Sequence, residues 1–247
     1  MADVAVQFLG SGDAFGSGGR DQTCIYVDSP DYRFLIDCGA SGLISMKRWG
    51  VSPSAVDAIL LTHLHGDHFG GLPFFILDAQ LISKRTKPLA IAGPPGLEHR
   101  IHAAMEIFFP GSSKVQPKFP IQFVELKNEA ATTIGPLTIK AFPVIHPSGD
   151  PSLAIRVTCC GKTIACSGDT EWTDALIPAA QGADLFICEA YFFDKKVKFH
   201  MDYATLMSHR AELGCRRLVV THMADDMLAR VRHLEAETAG DGKRVAL

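Results

Sequence analysis

The chain contains no apolar run approaching the roughly 18 residues of a membrane-spanning helix. Its start, "MADVAVQFLGSG", has no basic cluster followed by an apolar stretch of signal-peptide length, so no membrane association and a cytoplasmic location are the expectations. Charge imbalance is also missing. With 24 Lys and Arg against 27 Asp and Glu the net charge is -3, which excludes a global pull toward nucleic acid or anionic lipid and leaves any polyanion to a local patch. No C-x-x-C pair occurs among Cys24, Cys38, Cys159, Cys160, Cys166, Cys188 and Cys215; this odd set, several members of which lie in apolar runs, reads as buried free thiols rather than a disulfide framework or zinc ribbon. The glycines of "GSGDAFGSGG" (10–19) precede no Walker Lys-Ser/Thr and do not form G-x-G-x-x-G, so they read as a tight loop. Neither G-x-S-x-G nor H-E-x-x-H is present, which removes the serine-hydrolase elbow and the helix-borne zinc site.

What is present is an ordinary globular composition, 47% hydrophobic and 21% charged over 247 residues, sufficient to bury a substantial core in one domain spanning 1–247. Runs rich in Val, Ile, Phe and Thr mark strands at 4–10, 24–28, 33–39, 57–63, 89–93, 121–126, 137–144, 153–159, 162–169, 184–190 and 216–222. Three- or four-residue apolar spacing marks helices at 41–48, around 72–84, at 95–108, 173–180 and 202–213, and near 224–236. "DSPDYR" and "CCGK" read as hairpin turns. So many strands, apolar on both faces, predict an α/β (α+β) fold of two sheets with helices outside.

The stretch "LLTHLHGDHFGGLP" (60–73) places His63, His65, Asp67 and His68 within six positions immediately after a strand. The glycines let the chain turn sharply there, so neighbouring side chains can converge from one loop. Imidazole and carboxylate together suit Zn²⁺, and more than four such groups can hold two metals. Three other apolar runs end in the same way: "AFPVIH" in His146, "TIACSGD" in Asp169 and "RRLVVTH" in His222. Ser148 and Thr170 flank these presumed ligands and are candidates for orienting substrate. His99, His102, His209 and His233 read as surface residues.

These seven residues resemble the dinuclear site of the metallo-β-lactamase superfamily, with the match covering nearly the whole chain. The resemblance implies a four-layer αββα sandwich with metals at one edge. By position, His63, His65 and His146 would hold the first metal, Asp67, His68 and His222 the second, and Asp169 would bridge them. Two Zn²⁺ per chain are implied, with Mn²⁺ or Fe²⁺ as alternatives. "HLHGDHFGGLP", "FLGSGDAFG", "ACSGDT" and "ADLFICEAYF" further resemble the ribonuclease Z-like phosphodiesterase branch, in which a Glu and a His beyond the bridging Asp assist proton transfer. Glu189 and His200 stand at the matching places. One departure matters: the tRNA-gripping arm that many of those enzymes carry between the positions of His146 and Asp169 has no room here, since strand, turn and strand consume the interval. That argues against tRNA and for a smaller ester; "ISKRTK" (82–87) and "KKVK" (195–198) read as solvated faces.

The expected activity is hydrolysis of a small or cyclic phosphodiester or an RNA-derived end. Two cations sharing a water lower its pKa from the bulk value to about 7, making a bridging hydroxide available. Asp67 would orient it, and His200, oriented by Glu189, would protonate the departing alkoxide. The rival readings are a lactone, thioester or sulfate-ester hydrolase on the same scaffold and, from another class, a non-catalytic zinc-binding scaffold protein. Seven presumed ligands argue against the last, because structural zinc takes four and keeps no open position. Relatives commonly dimerise, which leaves a homodimer open.

Overall fold

Period-two alternation of apolar side chains sorts the strands of the computed structural model into layers. It describes residues 4–149 and 151–247; Met1–Asp3, which open the N-terminal stretch read above, and Asp150, included in the single-domain expectation, lie outside the described residues. The first half of the chain forms β1 (Ala5–Gly10), β2 (Cys24–Asp28), β3 (Phe34–Ile36), α1 (Gly42–Arg48), β4 (Ala58–Leu60), α2 (Gly66–Phe69), α3 (Leu72–Leu81), β5 (Leu89–Gly93), α4 (Leu97–Phe108) and β6 (Ile121–Glu125). The second half forms β7 (Thr132–Ile134), β8 (Leu137–Val144), β9 (Ser152–Cys159), β10 (Lys162–Cys166), α5 (Leu176–Ala180), β11 (Leu185–Glu189), α6 (Tyr203–Ser208), α7 (Arg210–Leu213), β12 (Leu218–Thr221), α8 (Asp225–Leu228), β13 (Glu237–Thr238) and β14 (Arg244–Ala246). Two seven-stranded sheets result, in the orders β14-β1-β2-β3-β4-β5-β6 and β13-β12-β11-β10-β9-β8-β7.

In β4, Ala58 and Leu60 face the opposing sheet while Ile59 faces the helices; in β11, Leu185 and Ile187 face inward while Phe186 and Cys188 meet helices. The inter-sheet layer joins Val6, Phe8, Ile25, Phe34 and Ile36 to Ile139, Ile155, Ile164 and Val219. Outside the first sheet pack Met46 of α1, Phe75 and Ile76 of α3, and Ile101 and Met105 of α4; outside the second pack Leu176 of α5, Leu206 of α6 and Leu213 of α7. Each fully buried Leu, Ile or Phe contributes about 1.5–3 kcal/mol, so a sandwich closed on both faces is the favourable solution for strands apolar on both sides. The chain thus has the expected αββα arrangement. Among the described residues no helix is long and apolar enough to cross a membrane.

Several sequence expectations are corrected. The turn after β4 is a helical turn, α2, with His65 as its N-cap. The helix expected over 202–213 breaks at His209, whose ring stacks on Trp172 at 3.8 Å and whose Nδ1 meets Glu212 at 2.8 Å, so α7 starts afresh there. The helix expected near 224–236 stops at Leu228 and is followed by a 3₁₀ turn at Val231–His233, since the chain must then extend to pair β13 with β12. β7, β13 and β14 were not expected; each has three residues or fewer, too short to show a period. All seven cysteines are unpaired, and Cys160 is exposed in the β9–β10 turn while the other six are buried.

Candidate metal centre

Strand direction puts the polar residues together. β8 and β10 are each antiparallel to β9, and β10, β11 and β12 are mutually parallel, so these strands end on one edge of the sandwich. His146 lies just past β8, Asp169 just past β10, Glu189 at the end of β11 and His222 just past β12. β4 of the other sheet delivers Thr62 and His63 to the same edge, tied across by Leu153 N–H donating to Thr62 O at 2.9 Å. The α2 turn seats against Gly39, where a Cβ would stand 2.3 Å from the Asp67 carbonyl oxygen; any side chain at position 39 would displace the turn.

All seven ligand candidates are brought together. The donor atoms of His63, His65 and His146 lie within 4.8 Å of one another, as do those of Asp67, His68, Asp169 and His222. Asp169 stands between the groups: its Oδ2 is 3.9 Å from His63 Nε2, 3.9 Å from His146 Nε2 and 3.4 Å from His222 Nε2, and its Oδ1 is 3.3 Å from His68 Nε2. Asp67 Oδ2 lies 3.3 Å from both His68 Nε2 and His222 Nε2.

Hydrogen bonding orients these side chains for metal. Thr62 Oγ1 donates its only proton to Asp37 Oδ2 at 2.8 Å, so at 3.1 Å it accepts from His63 Nδ1–H. His63 Nε2 is left with a lone pair, buried and without a partner among the described residues. Asp37 Oδ2 also accepts from His68 Nδ1–H at 2.8 Å, and His68 Nε2 is likewise buried without a hydrogen-bond partner while facing two carboxylates. His146 Nδ1–H donates to Phe199 O at 2.9 Å, turning Nε2 inward. Buried lone pairs converging with ionised carboxylates form a donor set short of a cation, and divalent zinc fits it.

The electrostatics agree. Burial opposes ionisation of Asp169, but His222 and His68 outweigh it and hold its carboxyl well below the usual carboxylate range; Asp67 is likewise held low against burial by its bonds to His222 and His68. Against the same burial penalty, Asp169 and Asp67 push His222 up to about 9, and Asp169 and Asp37 raise His68. His63, desolvated and beside His68, is pushed well down. Groups raised on folding contribute stability that is complete below their ordinary value of 6.5 and is lost as pH rises through the folded value. Metal binding needs those same imidazoles unprotonated. The chelator-stripped protein is therefore expected to lose melting temperature between pH 6.5 and 9 while apparent zinc affinity rises over that interval. Calorimetry and chelator competition at the two pH values check it, and a pH-independent zinc affinity would contradict it.

Glu189 and His200 adjoin the cluster. His200 Nδ1 is 3.0 Å from Glu189 Oε2, while Glu189 Oε1 accepts from Thr170 N–H and, at 3.3 Å, Met201 N–H. Burial and then Asp169 raise Glu189, with His200 offsetting part of this. Burial lowers His200, but the Glu189 bond outweighs it and the ring is raised. Its side chain is 23% exposed, at the mouth of the site.

Thr170 is fully buried, its Oγ1 accepting from Ile145 N–H at 3.0 Å and donating to Glu171 O at 2.7 Å, so it ties loops together rather than facing a substrate. Ser148 is buried against Ser152 but lines a cleft of about 340 Å³ with His65, His99 and Arg100. His99, read as a surface residue, thus stands at the rim. A second cleft of about 320 Å³ is lined by Trp172, Lys196, Lys198 and His200, so the "KKVK" run borders the site. A cavity of about 550 Å³ beside α4 shares no lining residue with the histidine cluster.

Asp37 was missed, although "FLIDCG" repeats the pattern of a polar residue ending an apolar run. Tyr191 was missed as well; its ring lies 4.9 Å from that of His200. Asp37, Phe199 and His222 adopt φ of 60°, 70° and 56°. Such left-handed non-glycine residues cost about 1–3 kcal/mol each, and here the network that aims the imidazoles holds them.

A family model described as "Anti-Pycsar protein Apyc1" matches residues 4–239. A ribonuclease Z from Exiguobacterium sp. (strain ATCC BAA-1283 / AT1b) is 26% identical over 287 aligned positions, covering 96% of this chain and 94% of that protein. Among solved structures, the human short-form tRNase Z is 25% identical with TM-score 0.78, covering 98% of both chains. The metallo-β-lactamase fold protein YhfI from Bacillus subtilis is 24% identical with TM-score 0.77, covering 100% of both.

Proposed function

The chain belongs to the Anti-Pycsar protein Apyc1 family, and from that footing we propose that it is a dinuclear phosphodiesterase acting on a small or cyclic phosphodiester or an RNA-derived end. It is a metal-dependent hydrolase of the metallo-β-lactamase superfamily with ribonuclease Z-like relatives. The observation that carries the finer reading is Asp169, whose two oxygens face histidines of both donor groups while Glu189 and His200 adjoin the second.

His63, His65 and His146 would hold one ion, and Asp67, His68 and His222 the other, with Asp169 shared. Two Zn²⁺ are the proposed occupants, with Mn²⁺ or Fe²⁺ as alternatives for a donor set that mixes imidazole with carboxylate. Divalent cations bound there supply charge stabilisation for the phosphoryl group and lower the pKa of water toward about 7. The attacking water gives one proton to solvent, and Asp67, held ionised, accepts a hydrogen bond from the remaining O–H of the hydroxide and aligns it opposite the scissile bond. As the new P–O bond forms and the ester P–O bond breaks, the departing oxygen takes the proton of His200 Nε2. That nitrogen is the one available, because Nδ1–H is engaged by Glu189, a bond that also raises the affinity of His200 for its proton. Ser148, at the rim, would contact the substrate.

Small substrates are favoured over tRNA because, among the described residues, β9, its turn and β10 take up most of the chain between His146 and Asp169. The alignment with the Exiguobacterium ribonuclease Z runs over 287 positions, more than the 247 residues here, so that relative carries insertions which this chain lacks. The test is metal analysis combined with turnover on a bis-aryl phosphodiester, cyclic nucleotides, precursor tRNA, an aryl sulfate, a lactone and a thioester. About two ions per chain and preference for the small phosphodiesters are expected. Preference for the lactone, thioester or sulfate would move the assignment to that ester class, and inactivity on every ester despite full metal loading would favour a zinc-binding scaffold.

A further inference from the structure

Phe199 precedes the proposed proton donor, and its peptide is gripped from both sides. Its N–H donates to Glu171 Oε2 at 2.9 Å, and its carbonyl accepts from His146 Nδ1–H at 2.9 Å. At φ 70° the residue sits in the left-handed region that a phenylalanine rarely enters unaided. Glu171 is itself anchored, since its N–H donates to Ile145 O at 3.3 Å and its carbonyl accepts from Thr170 Oγ1 at 2.7 Å. Three segments therefore meet at Glu171: its own, following Asp169, is tied through its backbone N–H to the one leading into His146 and through its carboxylate to the one leading into His200.

We propose that Glu171 is a positioning residue that, by fixing the Phe199 peptide, sets both the tautomer of His146 and the placement of His200. The physical reason is geometric. A carbonyl can only accept, so while Phe199 O faces His146 the proton stays on Nδ1 and the Nε2 lone pair stays turned inward. Release of the Phe199 N–H lets the peptide rotate toward an ordinary negative φ, which swings that carbonyl away and carries the His200 backbone with it. Metal affinity and leaving-group protonation, separate properties in most site variants, then fall together. The proposal rests on the reading of His146 as a metal ligand and His200 as proton donor.

The experiment compares wild type with Glu171→Ala, Glu171→Gln and Glu171→Asp, using His200→Ala as reference. Zinc affinity is read by competition with a chromophoric chelator, and kcat and KM are read on two phosphodiesters, an alkyl nitrophenyl diester that expels nitrophenolate and a dialkyl diester that expels a simple alkoxide. Glu171→Ala is expected to weaken zinc binding about 10–100-fold, the usual effect of losing a partner that orients a ligating histidine. It should also lower kcat about tenfold or more for the alkoxide and within twofold for nitrophenolate, with KM little changed. Glu171→Gln, whose amide oxygen still accepts the Phe199 N–H, should restore both properties. Glu171→Asp, one methylene short, should fall between. If the alanine variant does not fold by circular dichroism, the Gln and Asp pair carries the comparison. Zinc affinity and leaving-group dependence in Ala and Asp variants equal to wild type would overturn the proposal, as would a Gln variant as impaired as Ala, since charge rather than hydrogen-bond acceptance would then be acting. A wild type that binds no zinc, or a His200→Ala variant without leaving-group dependence, would instead overturn the functional reading beneath it.

Discussion

Asp169→Asn is expected to lower kcat/KM on every ester substrate by about 10³-fold or more and to leave less than the full metal complement in the purified protein. The carboxylate is 3% exposed and faces four histidines, so replacing it with a neutral amide of equal size removes the negative charge from the middle of both donor groups. Charge stabilisation by bound metal is worth several kcal/mol, and each 1.36 kcal/mol is tenfold in rate; a loss of about 4 kcal/mol therefore reaches that figure. His222 and His68 owe their raised proton affinity chiefly to Asp169, so their pKa values should drop in the variant even without metal, visible in imidazole NMR titrations. Elemental analysis and steady-state kinetics decide the matter. Full activity with two ions retained would remove Asp169 from the bridging role.

His200→Ala should behave differently. Metal content is expected to stay intact, because the groups built around His63 and His68 keep all their donors without His200, which joins Asp169, Glu189 and His222 in a third, overlapping group and is bonded to Glu189. Removing a leaving-group acid costs about 10²–10⁴ in rate when the departing alkoxide is a poor leaving group. Nitrophenolate, already stable as an anion, needs no proton and should be slowed only a few-fold. A plot of log kcat against leaving-group pKa should thus steepen in the variant. Equal slowing of both substrates, with metal unchanged, would show that His200 acts on the phosphoryl group or on folding instead. Glu189 is fully buried, and a charge left without its histidine partner there is costly, so a parallel thermal melt separates lost chemistry from lost stability.

Much of this site was legible because its chemistry is written in residue types that strands rarely end with by chance. "LLTHLHGDH" compresses four donors into a single turn, and "PVIH", "CSGD" and "VVTH" repeat the pattern of an apolar run ending in a donor. Asp37 obeys the same rule, but its part is to hold Thr62 and His68 by hydrogen bonds, which an aspartate after "FLI" does not announce in the sequence. Glu171 and Phe199 are different in kind. No local pattern announces that a glutamate two residues past Asp169 will bind the N–H of a peptide 28 positions away. Thr170 illustrates the converse error: adjacency to the candidate ligand Asp169 suggested substrate contact, whereas its hydroxyl is bonded to Ile145 and Glu171.

Residue order alone determined the layered class of the fold, through strands apolar on both faces that can be satisfied only between a partner sheet and covering helices, and it determined the donor chemistry, through where those strands stop. The three-dimensional chain decided the rest. Edge strands β7, β13 and β14 are too short to carry a period and form because a neighbouring strand offers unpaired backbone groups; β14 pairs with β1 from the opposite end of the sequence. Which nitrogen of each histidine carries the proton, which carboxylate stands between the two groups and which peptide is held left-handed are likewise set by long-range contacts. Hydrogen bonds and burial act through space at about 3 Å, and no spacing along the chain encodes which distant atoms will arrive there.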